Sequence, residues 1–101
     1  MAIQIKTKDE LDKAIQNGKV IVDFWATWCG PCIMMGEKIE SELLPKAPDV
    51  KIAKINVDEA PELAAEFGIL SIPALFCFVD GKKRAEFIGV TDVSDLLAAL
   101  Q

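Results

Sequence analysis

The chain contains no histidine, and only three of its 101 residues are cysteines. Without histidine, the Ser-His-Asp and Cys-His catalytic arrangements are excluded, and most mixed zinc sites lose a ligand type. An odd number of cysteines argues against a scaffold built on disulfides. In a reducing compartment, two cysteines close in sequence are more often catalytic or metal-binding than structural.

Positive charge and long apolar runs are also scarce. Asp and Glu outnumber Lys and Arg by 16 to 11, which gives a formal charge of −5. The basic residues form no long run, so we expect neither nucleic acid nor an anionic membrane surface as a partner. No stretch approaches the ~20 apolar residues of a membrane span. Charged residues follow Met1 too closely for a signal-peptide core, so we expect a cytoplasmic protein.

Hydrophobic residues make up 51% of the chain, which is enough for one core at this length. We therefore expect a single domain over residues 1–101. Apolar periodicity and turn signals predict the order β-α-β-α-β-α-β-β-α, an α/β fold with a parallel sheet portion and an antiparallel hairpin. The predicted strands are 3–5, 20–26, 50–57, 74–79 and 84–88. The predicted helices are 7–17, about 29–44, 61–67 and one from Asp92 or Ser94.

Two cysteines lie three positions apart, between an apolar strand and a helix, in the segment Trp28-Cys29-Gly30-Pro31-Cys32. Residues three apart on a helix have Cβ atoms roughly 5–6 Å apart, and a disulfide prefers about 3.5–4.5 Å. A small adjustment therefore closes the bond, which predicts a reversible dithiol switch. The helix N-terminus should lower the pKa of the Cys29 thiol and make it the attacking nucleophile. Cys32, one turn further in, would resolve the mixed disulfide.

Half of a zinc or iron–sulfur site is the alternative interpretation of this motif. Such sites usually need four ligands, and the only further thiol is Cys77, inside an apolar strand. We predict that Cys77 is an inert buried thiol, and that one chain holds no metal. A metal-bridged dimer, in which two chains share their motifs, remains open. Met34 and Met35, which follow the motif, are predicted core residues.

Asp23 interrupts an otherwise apolar strand and lies on the same face as Ile21 and Trp25. Burial should raise the pKa of this carboxyl towards neutrality, so that it could accept the proton of Cys32. The alternative is a carboxylate paired with a lysine for structure alone.

The Ile72–Pro73 bond comes just before the predicted 74–79 strand. We expect this bond to be trans on base rates, since only about 5–6% of X–Pro bonds are cis.

Several segments of the chain, in register, match one known family. The first is Phe24-Trp25-Ala26-Thr27-Trp28-Cys29-Gly30-Pro31-Cys32. It is followed by Lys54-Ile55-Asn56-Val57-Asp58, Phe67-Gly68-Ile69, Ile72-Pro73, Asp80-Gly81 and Gly89. On these segments the chain resembles the thioredoxin family over almost its whole length.

The resemblance implies a thioredoxin fold, in which helices flank a central sheet on both faces. It implies a monomeric protein disulfide reductase in cellular redox homeostasis and electron transport, without a bound cofactor. A thioredoxin reductase would supply electrons, and disulfide-containing proteins would be the substrates. It further implies a cis Ile72–Pro73 bond whose backbone pairs with an extended substrate, and a Lys54 that tunes Asp23. The implied docking surface consists of Trp28, Gly30, Pro31, Ile72, Pro73 and Gly89.

The Gly30-Pro31 pair favours reduction, because oxidising relatives usually carry a histidine there. Three positions depart from the family pattern. Ile33 replaces a residue that is often basic, and Ala74 replaces a common threonine. Glu37 replaces a proline that kinks the helix, so we expect a straighter helix with Gly36 as its weak point.

A binding module that holds partners at the implied docking surface without redox turnover is the rival function.

Overall fold

The computed structural model describes residues 2–101. Five strands form one sheet in the order β1-β3-β2-β4-β5. The strands are β1 (Ala2–Gln4), β2 (Lys19–Trp25), β3 (Lys51–Asn56), β4 (Ala74–Val79) and β5 (Lys82–Ile88). The helices are α1 (Lys8–Ile15), α2 (Gly30–Lys38), α3 (Pro61–Glu66) and α4 (Val93–Ala99), and a π-helical segment (Ile39–Leu43) continues α2.

The sheet is mixed, as the sequence predicts. β1, β3 and β2 run parallel, whereas β4 is antiparallel to β2 and β5 is antiparallel to β4. β2 lies at the centre because its nearly continuous apolar run suits a strand that is covered on both faces. Val22 on one side of β2 packs in the first core, which includes residues of α1 and α3. Ile21 on the other side packs in the second core, which includes residues of α2 and α4.

The first helix begins where its sequence signal predicts. The side chain of Thr7 accepts a hydrogen bond from the Glu10 backbone N–H, and the Glu10 carboxylate accepts one from the Thr7 N–H. This capping box pairs two of the free donors at the helix start. Within the described residues 2–101, no helix is long and apolar enough to cross a membrane.

The predicted weak point at Gly36 is wrong. Gly36 lies inside the regular part of α2, and the irregularity comes three residues later, where the Leu44 N–H bonds to the Ile39 carbonyl in a π turn. Ile39 and Leu43 are buried in the second core and Leu44 packs against it. The wider turn lets all three apolar side chains face that core, which an apolar pattern alone does not distinguish from an α-helix.

Candidate active site

Two cysteines meet at the junction of β2 and α2. Cys29 is the N-cap of α2, Pro31 lies in its first turn, and a disulfide joins Cys29 to Cys32, with 5.2 Å between their Cα atoms. The Cys32 backbone N–H donates a hydrogen bond to Cys29 Sγ over 3.2 Å. Cys29 is 6% exposed and Cys32 is 2% exposed. The helix start therefore directs a donor at the sulfur that the sequence predicts to be the nucleophile.

A backbone edge lies against this disulfide. The Ile72–Pro73 bond is cis, as the resemblance implies and contrary to the base-rate expectation. The Ile72 carbonyl oxygen lies 4.0 Å from Cys29 Sγ. The Gly89 N–H donates to the Pro73 carbonyl over 2.8 Å, which ties a second segment to the same edge.

The residues of the implied docking surface differ in exposure. Trp28, Gly30 and Pro31 are exposed, Ile72 and Gly89 are half-buried, and Pro73 is buried. The indole N–H of Trp28 donates to the Asp58 carboxylate over 2.8 Å, so a ring that is 69% exposed is still held in place.

Sequence reasoning missed part of the surface around the disulfide. A groove of about 180 Å³ runs beside Trp28 and Ile72, and Leu70, which lines it, is 99% exposed. Met34 is 57% exposed, so its predicted place in the core is wrong, whereas Met35 is buried as predicted. Neighbouring helix positions point in different directions, so only one of the two methionines faces the sheet.

Asp23 is 1% exposed on β2. Burial raises the pKa of its carboxyl to about 6, and the positive charge of Lys54 opposes that rise. Lys54 is its register partner on β3. Among the residues that the structure describes, Asp23 Oδ1 has no hydrogen-bond partner, and neither has the indole nitrogen of Trp25. The direction of the predicted pKa change is confirmed.

Lys54 lines a space beside Asp23 and another beside Cys32. Its Nζ lies 4.4 Å from the centroid of the Trp25 ring. Asp23 and Lys54 line a cavity of about 50 Å³, and Cys32 and Lys54 line a groove of about 180 Å³. Gly36 lines both spaces, and the smaller one is large enough to hold water.

The third cysteine lies apart from this site. Cys77 is fully buried in β4 within the second core, and burial raises the pKa of its thiol to about 11. A high thiol pKa leaves little of the reactive thiolate. In the part of the chain that is described, no group of three or more Cys, Asp or Glu residues is arranged to hold a metal ion.

Comparison with known proteins agrees with this geometry. The thioredoxin family model matches residues 2–101. The thioredoxin of Alicyclobacillus acidocaldarius is 45% identical over an alignment of 95 residues that covers 93% of this chain and 90% of that protein. A mutant thioredoxin from Halobacterium salinarum has a TM-score of 0.83 at 35% identity, covering 98% of this chain and 87% of that one. Oxidised mitochondrial thioredoxin 3 from Saccharomyces cerevisiae has a TM-score of 0.85 at 32% identity, covering 98% and 92%.

Proposed function

Because the chain belongs to the thioredoxin family and is a thiol–disulfide oxidoreductase, we propose that it acts in cells as a reductase of protein disulfides. The observation that carries this proposal is the Cys29–Cys32 disulfide at the start of α2, opposite the Ile72–Pro73 edge. The absence of histidine supports the direction of electron flow. A histidine cation beside the thiolate would stabilise the reduced pair and make it more oxidising.

The first step joins the reduced protein to its substrate. Cys29, as the thiolate, attacks one sulfur of a substrate disulfide and forms a mixed disulfide. The second substrate sulfur leaves as a thiolate and takes a proton from solvent. The donor N–H of Cys32 and the helix dipole stabilise the Cys29 thiolate before it attacks.

The second step releases the substrate. Cys32 loses its proton and attacks Cys29 Sγ, which forms the Cys29–Cys32 disulfide and breaks the bond to the substrate sulfur. That sulfur leaves as a thiolate and takes a proton from solvent. Asp23 accepts the Cys32 proton through water in the spaces beside Lys54. A carboxyl with a pKa of about 6 is largely ionised at neutral pH and can also return the proton. Two electrons have then passed from the protein to the substrate, and a reductase must replace them.

Substrates dock as extended backbone. The Ile72–Pro73 edge pairs with a substrate strand, and backbone pairing makes little demand on substrate side chains. Trp28, Gly30, Pro31 and Gly89 complete the apolar surface around the disulfide. This arrangement supports general action on many protein disulfides.

The cellular setting follows from the redox cycle. We expect a thioredoxin reductase as the electron donor, disulfide-containing proteins as substrates, and the cytoplasm as the compartment, because reducing conditions keep such a pair in turnover. We also expect residues 1–101 to form one monomeric domain. The single five-stranded sheet supports one domain.

Insulin reduction tests the proposal. With dithiothreitol as the electron source, turbidity from precipitating reduced insulin should appear much faster with the protein than with dithiothreitol alone. Cys29→Ser should abolish the acceleration. Cys77→Ala is the matched control, because its thiol is buried in another core, and it should keep the wild-type rate.

The alternatives give different results. A binding module predicts that a protein with both Cys29→Ser and Cys32→Ser keeps its full biological activity. A metal-bridged dimer predicts twice the chain mass together with bound metal in freshly purified protein. A reductase predicts loss of activity in the double variant and a metal-free monomer.

A further inference from the structure

Thr91 is one of three buried polar or charged residues in the described part of the chain. Its neighbour Val90 is exposed, whereas Thr91 is only 7% exposed. The Thr91 backbone N–H donates to Met35 Sδ over 3.3 Å, and its hydroxyl donates to the Gly89 carbonyl over 3.0 Å. Thr91 therefore connects the helix that carries the cysteines with the segment that contains Gly89.

The contacts continue from Gly89 to the disulfide. The Gly89 N–H donates to the Pro73 carbonyl over 2.8 Å, and the Ile72 carbonyl oxygen lies 4.0 Å from Cys29 Sγ. A closed series of contacts thus runs from α2 through Thr91 and Gly89 to the docking edge, and from there back to the start of α2.

Both bonds of Thr91 have a physical reason. A buried backbone N–H must find an acceptor, and the flexible thioether of Met35 brings its sulfur to that donor. Gly89 has a φ of +90°, where a residue without Cβ has few steric restraints. Hydrogen bonds to both sides of Gly89 therefore decide how its peptide groups are oriented.

We propose that Thr91 is a positioning residue for protein substrates, and that its hydroxyl holds Gly89 and the Ile72–Pro73 edge in the orientation that an extended substrate needs. This inference rests on the proposed function, in which that edge pairs with substrate backbone. Thr91 contacts neither active-site sulfur, so it acts on substrate binding and not on disulfide exchange.

Thr91→Val tests the inference, because valine keeps the shape of threonine and lacks the hydroxyl. The KM for insulin should rise about two- to tenfold, which corresponds to one hydrogen bond of about 0.5–1.5 kcal/mol, with kcat unchanged. Reduction of a small aromatic disulfide that does not use the docking edge should keep its rate. Thr91→Ser keeps a hydroxyl at this position and should therefore have the wild-type KM.

Three results would overturn the inference: an unchanged KM for Thr91→Val, equal losses on insulin and on the small disulfide, or no rescue by Thr91→Ser. If Thr91→Val does not fold, Thr91→Ala provides the test, because alanine also removes the hydroxyl that donates to the Gly89 carbonyl. An unchanged KM in that variant would also overturn it. A wild-type protein that fails to reduce insulin would overturn the proposed function as well, whereas an active wild type with unchanged variants overturns the inference alone.

Discussion

Asp23→Asn should raise the free energy of unfolding above that of the wild type at neutral pH. At acid pH the substitution should give no such increase. Burial raises the pKa of the Asp23 carboxyl in the folded protein to about 6, from an ordinary value of 3.8. Between these two values the folded state binds more protons than the unfolded state, so wild-type stability falls as the pH rises from about 4 through 6. At about 1.4 kcal/mol per pKa unit, the full effect is about 3 kcal/mol.

Asparagine at this position stays neutral, so it avoids the cost of burying a charge. The difference in the free energy of unfolding between Asp23→Asn and wild type should therefore grow by about 3 kcal/mol from pH 3.5 to pH 7.5. Guanidinium denaturation of the oxidised proteins at a series of pH values measures this difference. Effects of all other titrating groups cancel, because both proteins share them.

Asp49→Asn is the matched control, because Asp49 is exposed. Its difference from wild type should stay within about 0.5 kcal/mol across the same pH range, as is usual for surface substitutions. If the Asp23→Asn difference grew by less than about 1 kcal/mol, or if the variant lost stability towards neutral pH, the carboxyl would not be a buried group with a raised pKa. The proton step assigned to Asp23 would then fall.

Lys54→Met should raise the Asp23 pKa further, because Lys54 is the charge that opposes the effect of burial; a carbon NMR titration of the carboxyl would contradict this if its midpoint stayed in place or fell. Gly36→Ala should stabilise the protein by about 0.5–1 kcal/mol, because glycine is costly inside a helix and the new Cβ would lie 3.8 Å from Lys54 Nζ, an ordinary contact. A loss of stability on denaturation would show that the space beside Lys54 does not accept a methyl group. Thr7→Ala should cost about 1 kcal/mol through loss of the α1 cap, and an unchanged denaturation midpoint would argue that the capping box adds nothing.

Local signals in the sequence predicted much of the fold. Proline at the start of α2 placed Cys29 at the helix N-terminus, and the apolar run of β2 placed that strand at the centre of the sheet. The raised pKa of the Asp23 carboxyl was predictable because an acid in a strand covered on both faces is buried. These features depend on neighbouring residues or on one strand pattern, which a sequence displays directly.

Other features depend on contacts between distant segments. The cis Ile72–Pro73 bond was implied only by family resemblance, because an isolated X–Pro pair favours trans. The bond from Thr91 to Met35 joins residues 56 positions apart, and no periodicity marks a methionine as an acceptor. The π turn after Lys38 arises from packing against the second core, so the helix signal placed the weak point wrongly at Gly36.

In the proposed mechanism Cys29 attacks the substrate and Cys32 resolves the mixed disulfide, so trapping the mixed disulfide separates the two roles. Reduced Cys32→Ser protein is mixed with native insulin, whose disulfides are intact. The adduct is digested and mapped by mass spectrometry under non-reducing conditions. We expect a stable adduct of one chain with an insulin chain, bonded through Cys29, and no such adduct with Cys29→Ser. An adduct through Cys77, or equal trapping through Cys32 in the Cys29→Ser protein, would contradict it.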